Sequence, residues 1–330
     1  MGDRPVPITP SEAEVTMVTA KFVKSPSLLS WVVNGVLAIK PLATLAKQRA
    51  RAMMIERAET LGVPWRATVQ QLRSRQTEAD LHPDWETTLT ALQQPQLQYP
   101  DYYVTSFHAY AEGNLGWQPA MEVEVAAQAV HARIWPEAGA AGDARLRQSY
   151  HDVLKAHLPV APRAIADLGC GVGMSTETLQ ATFPDATLTG VDLSPYFLAV
   201  AHYRTAAQRP ITWHHAPAEA TGLPAASFDL VSACLLFHEL PQGAAIAVLQ
   251  EARRLLRPGG HLAIMDMNPG CETFAQMPPF VFTLLKSTEP YLDDYLTLDF
   301  GAALTAAGFS APQTVVNSPR HRTLLAQAIA

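Results

Sequence analysis

The chemistry in this sequence is densest in "DLGCGVGMSTETL", residues 167–179. A carboxylate, Asp167, stands just before three alternating glycines, Gly169, Gly171 and Gly173, with Ser175 and Thr176 following. Glycines at such spacing let the backbone pass close to a ligand where a Cβ would collide, and the hydroxyl residues can open a helix. The next apolar run closes on "GVDLS", where Asp192 can accept hydrogen bonds from both hydroxyls of a ribose. A dinucleotide loop asks for glycine at position 174, and Met174 is there instead.

For such a loop to work it must lie between a strand and a helix. The apolar run ending in "ADLGCG" supplies the strand, and from residue 163 onward runs of strand and helix character alternate. "ATLTGVDL", "ITWHH", "FDLVSACLLF" and "HLAIMDMN" read as strands. "SPYFLAVAHYRTAA" and "PQGAAIAVLQEARRLLRPGG" read as helices, the second stopped by Pro-Gly-Gly. The last helix, "DFGAALTAAGF", leads into "PQTVVN" and "RTLLAQAIA", joined by the turn "SPRH" as an antiparallel hairpin at the sheet edge. The expectation is an α/β fold: a Rossmann-like, doubly wound, seven-stranded, mostly parallel sheet with an antiparallel edge hairpin, preceded by a mainly helical N-terminal region. The domain organisation predicted is a helical extension and lid over 1–143 and the α/β domain over 144–330.

The order Asp167, Gly169, Gly171, Gly173 resembles motif I of class I S-adenosylmethionine-dependent methyltransferases. The resemblance continues over about 163–267: "PAEATGLPAASFDLVSACLLFHELP" is similar to the family's stretch from third to fourth strand, and "LQEARRLLRPGGHLAIMD" to its following helix and fifth strand. It resembles most the broad group of UbiE-like and type-11 enzymes. The resemblance implies S-adenosyl-L-methionine as cofactor. Asp167, Gly169, Cys170, Gly171 and Gly173 would bear its methionine part; the ligand's ammonium suits an acceptor such as Asp167, whereas a pyrophosphate would want only donors. Asp192 would hold the ribose, Leu193 pack on the adenine, Ala218 and Glu219 border its edge, and Ala233 and Cys234 face the methionine chain. At the position of an Asp that in the family accepts from the adenine amino group stands Pro217.

Displacement at a sulfonium methyl needs the nucleophile in line, a dry pocket and a base for the acceptor's proton. His238, just past the fourth strand, is the first candidate, against a structural role as a histidine bonded to backbone at a helix entry. "STEPYLDDYL" supplies Glu289, Tyr291, Asp293, Asp294 and Tyr295 after an insertion that in the family covers the acceptor; the alternative is a capped, solvated helix start. Of these, Tyr291 and Asp294 are candidate catalytic groups. His321, in "NSPRHR", falls on the active side if the penultimate strand runs parallel to the rest. The apolar "FAQMPPFVFTLLKS" favours a small hydrophobic acceptor, of quinone, isoprenoid or pigment type. A cofactor-binding module without turnover, or aminopropyl transfer on the same scaffold, remain the competing readings.

The totals narrow the partners. The 330 residues are 48% hydrophobic and 16% charged, with a net charge of −6, so a globular chain is expected and nucleic acid is not. Cys170, Cys234 and Cys271 show no metal spacing, and His214 and His215 point to opposite faces of one strand, so no metal site is expected. No signal peptide is evident, and the apolar run at 28–39 falls short of the roughly 20 residues of a membrane span. A cytoplasmic location is expected. From Lys21 to Arg57 the chain carries seven Lys/Arg against Glu56 alone. Residues 28–57 therefore read either as a peripheral membrane anchor or as helices capping the domain. Oligomeric state has no signature.

"TSFHAYAEGNLGWQ", residues 105–118, gathers amphipathic side chains upstream of the first core strand. As a lid it would exclude water with Phe107, Tyr110 and Trp117 and offer polar contacts from His108, Glu112 and Asn114, with Gly113 and Gly116 allowing turns. As a packed connector, its aromatics would simply bury.

Overall fold

Strand β1 (Ala164–Leu168) displays the alternation on which the sheet is built. Ala166 and Leu168 face one layer of helices and Ile165 faces the other, all at 0% exposure. The same split recurs in β4 (Phe228–Cys234), with Val231 and Ala233 opposite Leu230, and in β5 (Leu256–Met267), with Leu262 and Ile264 opposite Ala263 and Met265. A sheet apolar on both faces must be covered on both. The computed structural model describes residues 40–108, 110–205 and 210–329 and shows this doubly wound arrangement.

With β2 (Thr187–Asp192), β3 (Thr212–His215), β6 (Gln313–Val316) and β7 (His321–Gln327), the described residues form a seven-stranded sheet in the order β3-β2-β1-β4-β5-β7-β6. The first five strands run parallel. β7 is antiparallel to β5, and β6 is antiparallel to β7 and so runs with the rest. The terminal hairpin thus has one strand inside the sheet, and its turn lies at the carboxyl ends of the parallel strands. Pro258, Gly259 and Gly260 do not separate helix from strand as expected. Pairing begins already at Leu256 opposite Phe228, with an irregular register before Leu230.

Helix α1 (Lys40–Thr60), α2 (Trp65–Ser74), α3 (Asp84–Leu92) and α4 (Trp117–His131) precede α5 (Gly142–His157). The expected boundary at 143/144 falls in the first turn of α5. Leu146, Tyr150 and Leu154 of α5 pack on the sheet with Leu179 of α6 (Met174–Thr182) and Leu198 of α7 (Pro195–Thr205); each such burial contributes about 1.5–3 kcal/mol. The opposite face carries α8 (Gln242–Leu255), α9 (Glu272–Gln276), α10 (Pro279–Thr288), α11 (Leu292–Thr297) and α12 (Phe300–Ala306), whose core residues include Val248, Leu249, Leu292 and Leu304.

The N-terminal helices are welded on. Trp85 of α3 is fully buried, its ring 5.5 Å from Trp117 and 5.1 Å from Tyr203 of α7. Ile55 and Ala58 of α1 pack with Trp65, Val125 and Ala129, and Arg51 is paired with Glu122 of α4. Through Arg51, Ile55 and Ala58 the described part of the basic segment packs on α2 and α4, while the apolar run at 28–39 lies outside the described residues. Among the described residues no helix is long and apolar enough to cross a membrane.

Candidate functional site

The carboxyl ends of β1, β2 and β4 converge on the glycine loop. Gly169, Gly171 and Gly173 all have positive φ, at 65°, 55° and 83°. Their surroundings differ. A Cβ on Gly169 would come within 2.6 Å of Leu236, and one on Gly173 within 2.8 Å of Trp213, whereas at Gly171 the nearest atom is 3.9 Å away. Two glycines thus serve internal packing and one leaves a cradle. Asp192 is buried and accepts from the backbone N–H of Gly171 and of Ser194, each at 2.8 Å. Asp167, 1% exposed, accepts from Thr176 Oγ1 at 2.7 Å, and its Oδ1 has no partner among the described residues. Burial lifts both carboxyls to about 6.

The other residues implied by the resemblance surround the same cleft. Leu193, Cys170, Ala233 and Cys234 are buried at the strand ends. Burial carries the Cys234 thiol up to about 12, which suits a lining group and not a nucleophile. Ala218 and Glu219 follow β3. Glu219 Oε1 accepts from the Tyr102 hydroxyl at 2.7 Å, and its Oε2 has no partner among the described residues. At Gly171 an added Cβ would make only an ordinary contact with Phe197, and the two unpartnered carboxylate oxygens suit a nucleoside with an amino-acid tail, whose ammonium and hydroxyl or amino hydrogens need acceptors.

Three contributors were not foreseen. Arg147 of α5, steadied by Asp143 at 3.0 Å, brings its guanidinium to 3.7 Å from Cys234 Sγ and 3.8 Å from Met174 Sδ, at the mouth of the loop. In sequence it is one charge on an amphipathic helix and carries no signal. Tyr99, Tyr102 and Tyr103 belong to the cluster "YPDYY", which in sequence is a visible run of aromatics ahead of the first core strand. His215 anchors that segment, accepting from Gln94 N at 2.9 Å and lying 3.4 Å from the Tyr99 hydroxyl. Asp266, at the end of β5, is the third strand-end acid after Asp167 and Asp192, and that recurrence could have marked it.

Asp266 defines a second polar centre. Leu235 has φ 60°, an uncommon conformation for a side-chain-bearing residue, and it turns the chain sharply after β4. The turn sets His238 on Asp266, with Nδ1 to Oδ1 at 2.8 Å and the His238 N–H donating to Oδ2 at 3.2 Å. Burial alone would lower the imidazole, but the charge and hydrogen bond of Asp266 carry it up to about 10. His108 reaches in from the N-terminal region, its Nε2 3.1 Å from Glu289 Oε1 and 3.7 Å from Glu239 Oε1. Its own φ is 49°, and its N–H donates to the carbonyl of Thr288 at the end of α10.

The segment 105–118 therefore divides. Phe107 is buried with its ring edge-on to His108, and these two face the polar centre. Tyr110 donates to Glu122 at 2.8 Å, Trp117 donates to Glu86 at 2.8 Å and packs edge-on to Tyr196, and the Asn114 carbonyl accepts from Ser194 Oγ at 2.7 Å. The first half thus meets the polar centre through His108, and the second half packs between α3, α4 and α7. Among the remaining candidates, Tyr291 packs edge-on to Tyr102 and donates to its carbonyl at 3.3 Å. Asp294 accepts from Gln242 N at 3.0 Å and so holds the start of α8. His321 is buried at the start of β7 opposite Met267, on Ser318 at 2.8 Å and 5.7 Å from the His131 ring, and burial lowers it to about 3. Among the described residues no group of three or more His, Cys, Asp or Glu could hold a metal ion.

Comparison with known proteins agrees with this geometry. Residues 165–260 match the family described as a methyltransferase domain. The chain is 34% identical to a trans-aconitate 2-methyltransferase of Methylobacterium nodulans, over 47% of this chain and 61% of that protein. It is likewise 34% identical to a demethylmenaquinone methyltransferase of Tropheryma whipplei, over 42% of this chain and 55% of that one. It thus spans less than two thirds of the length of these curated relatives. Among solved structures, a CurJ carbon methyltransferase aligns with TM-score 0.50 at 16% identity, covering 83% of this chain and 71% of that one, a likeness of fold.

Proposed function

We propose, for a chain that belongs to the class I S-adenosylmethionine-dependent methyltransferases, that it transfers the methyl group of S-adenosyl-L-methionine to a small hydrophobic acceptor by in-line displacement. The observation that carries the reading is the left-handed glycine loop between β1 and α6, with Asp192 holding the Gly171 N–H and an unpartnered oxygen on each of Asp167 and Glu219. Asp167 would take the ammonium of the methionine part, Arg147 its carboxylate, Asp192 the ribose hydroxyls and Glu219 the adenine edge. When bound, the cofactor supplies an electrophilic methyl on a cationic sulfur. The protein supplies alignment, and Tyr102, Tyr103 and Phe107 help exclude water.

The two named relatives point to different acceptors, an acid in one and a quinone in the other. The apolar insertion favours the second kind: α10 exposes Phe280 and Val281 in its first turn and ends at Glu289 of the polar centre. Methyl-labelled cofactor added to soluble and membrane extracts of the source cell, with the labelled product identified, tests the reading. Calorimetric cofactor binding with label in a lipophilic product is the expected result. Tight binding with no labelled product would leave a binding module; label in a water-soluble acid would move the acceptor class.

A further inference from the structure

Glu239 and Glu289 are absorbed by neither the cofactor site nor the His238–Asp266 pair. They come from separate elements, the turn Phe237–Glu239 and the end of α10, and converge on one imidazole, that of His108. Glu289 is 8% exposed, and while its Oε1 meets His108, its Oε2 has no partner among the described residues. A buried carboxylate oxygen without a donor is costly, and it marks where a donor is expected to arrive. Asp192 acts electrostatically on Glu239, as do His108, His238 and Glu289.

Building on the methyl-transfer reading above, we propose that the acceptor is uncharged and presents a hydroxyl group, that Glu289 and Glu239 receive this hydroxyl, and that Glu239 takes its proton as the oxygen is methylated. A carboxylate acceptor would bring a further anion against two carboxylates. Of the nearby guanidinium groups Arg147 is paired with Asp143, and Arg322 lies over the ring of Phe300, 5.8 Å from its centroid, with no acidic partner and its Nε unpartnered among the described residues. A hydroxyl supplies the missing donor. In the step, a lone pair of the hydroxyl oxygen forms the O–C bond while the C–S bond breaks. Its electron pair stays on sulfur, the sulfonium becomes a neutral thioether, and the O–H proton passes to the Glu239 carboxylate. Burial raises Glu239 to about 7 against the pull of His108 and His238, so it can return that proton to water near neutrality.

The test uses the full chain, methyl-labelled S-adenosylmethionine and acceptors matched in skeleton, an isoprenyl phenol, the corresponding benzoate and the corresponding aniline. Transfer to the phenol at least tenfold faster than to the others is expected. Glu239→Gln should lower kcat at least tenfold with cofactor affinity unchanged, and Glu289→Gln should raise the KM for the phenol. Preferential transfer to the benzoate or the aniline, transfer to none of the three, or full turnover by Glu239→Gln overturns the hydroxyl assignment while leaving methyl transfer standing if calorimetry shows cofactor binding. A wild-type chain that binds no cofactor removes both readings.

Discussion

The two halves of the cleft are built from different materials. On the cofactor side the geometry is carried by backbone: three left-handed glycines, and an aspartate that holds the N–H groups of Gly171 and Ser194. On the side proposed for the acceptor it is carried by side chains of distant origin, His108, His238, Glu239, Asp266 and Glu289, which pair with one another. The contrast teaches that the first half is set once β1, the loop and α6 form, whereas the second exists only when the N-terminal region, β4, β5 and α10 have all docked. Damage should therefore read out as lost affinity on one side and lost stability on the other.

The largest effect is expected at His238→Ala. It removes the imidazole from the Asp266 carboxylate, 2% exposed, which keeps the backbone N–H groups of residues 238 and 267, and breaking a buried pair costs about 3–5 kcal/mol. Denaturant unfolding should show that loss together with a fall in turnover, and calorimetry an unchanged cofactor affinity; full stability with lost turnover would make the histidine purely chemical. The folded-state value of His238 is raised, so the stability it contributes is complete below about pH 6.5 and fades as pH climbs through about 10. Asp192→Ala comes next. Removing two hydrogen bonds to a carboxylate should weaken cofactor binding roughly a hundredfold. Binding unchanged in calorimetry would refute the cofactor site.

The glycines sharpen the contrast within one loop. At both Gly169 and Gly171 alanine meets a left-handed φ, a strain of about 1–2 kcal/mol. Gly169→Ala adds a clash with Leu236 and should lower the melting temperature further, while Gly171→Ala should fold and lose cofactor affinity, by at least about tenfold. Equal melting temperatures would remove the distinction. Acidification should act on the same half. Asp167 and Asp192 sit near 6 in the free protein, and a ligand that needs their ionised forms binds about tenfold more weakly at pH 5 than at pH 7 for each group involved. The free fold shifts the other way, since a raised carboxyl value means stability present below about 3.8 and lost as pH rises through about 6. A flat affinity profile would argue against both carboxylates as cofactor contacts. The smallest effect is reserved for the connector. Tyr110→Phe removes the hydrogen bond to Glu122 and should cost about 1–2 kcal/mol in stability with turnover intact, whereas His108→Gln should lower turnover.

The sequence alone determined the doubly wound sheet, the glycine loop and the two strand-end acids. Each rests on a local rule: strand and helix periods, glycine where φ must be positive, a carboxylate at a strand end. It could also place His238 just past the fourth strand, because a position relative to one strand end is local. What it could not decide was how "TSFHAYAEGNLGWQ" divides, that Asp294 would face the start of α8 while Glu289 kept a free oxygen, or that Arg147 would point into the loop. Those outcomes depend on contacts between residues far apart in the chain, such as His108 with Glu289 and Arg147 with Cys234. Propensity and spacing fall silent there, because only the packing of whole elements brings the partners together.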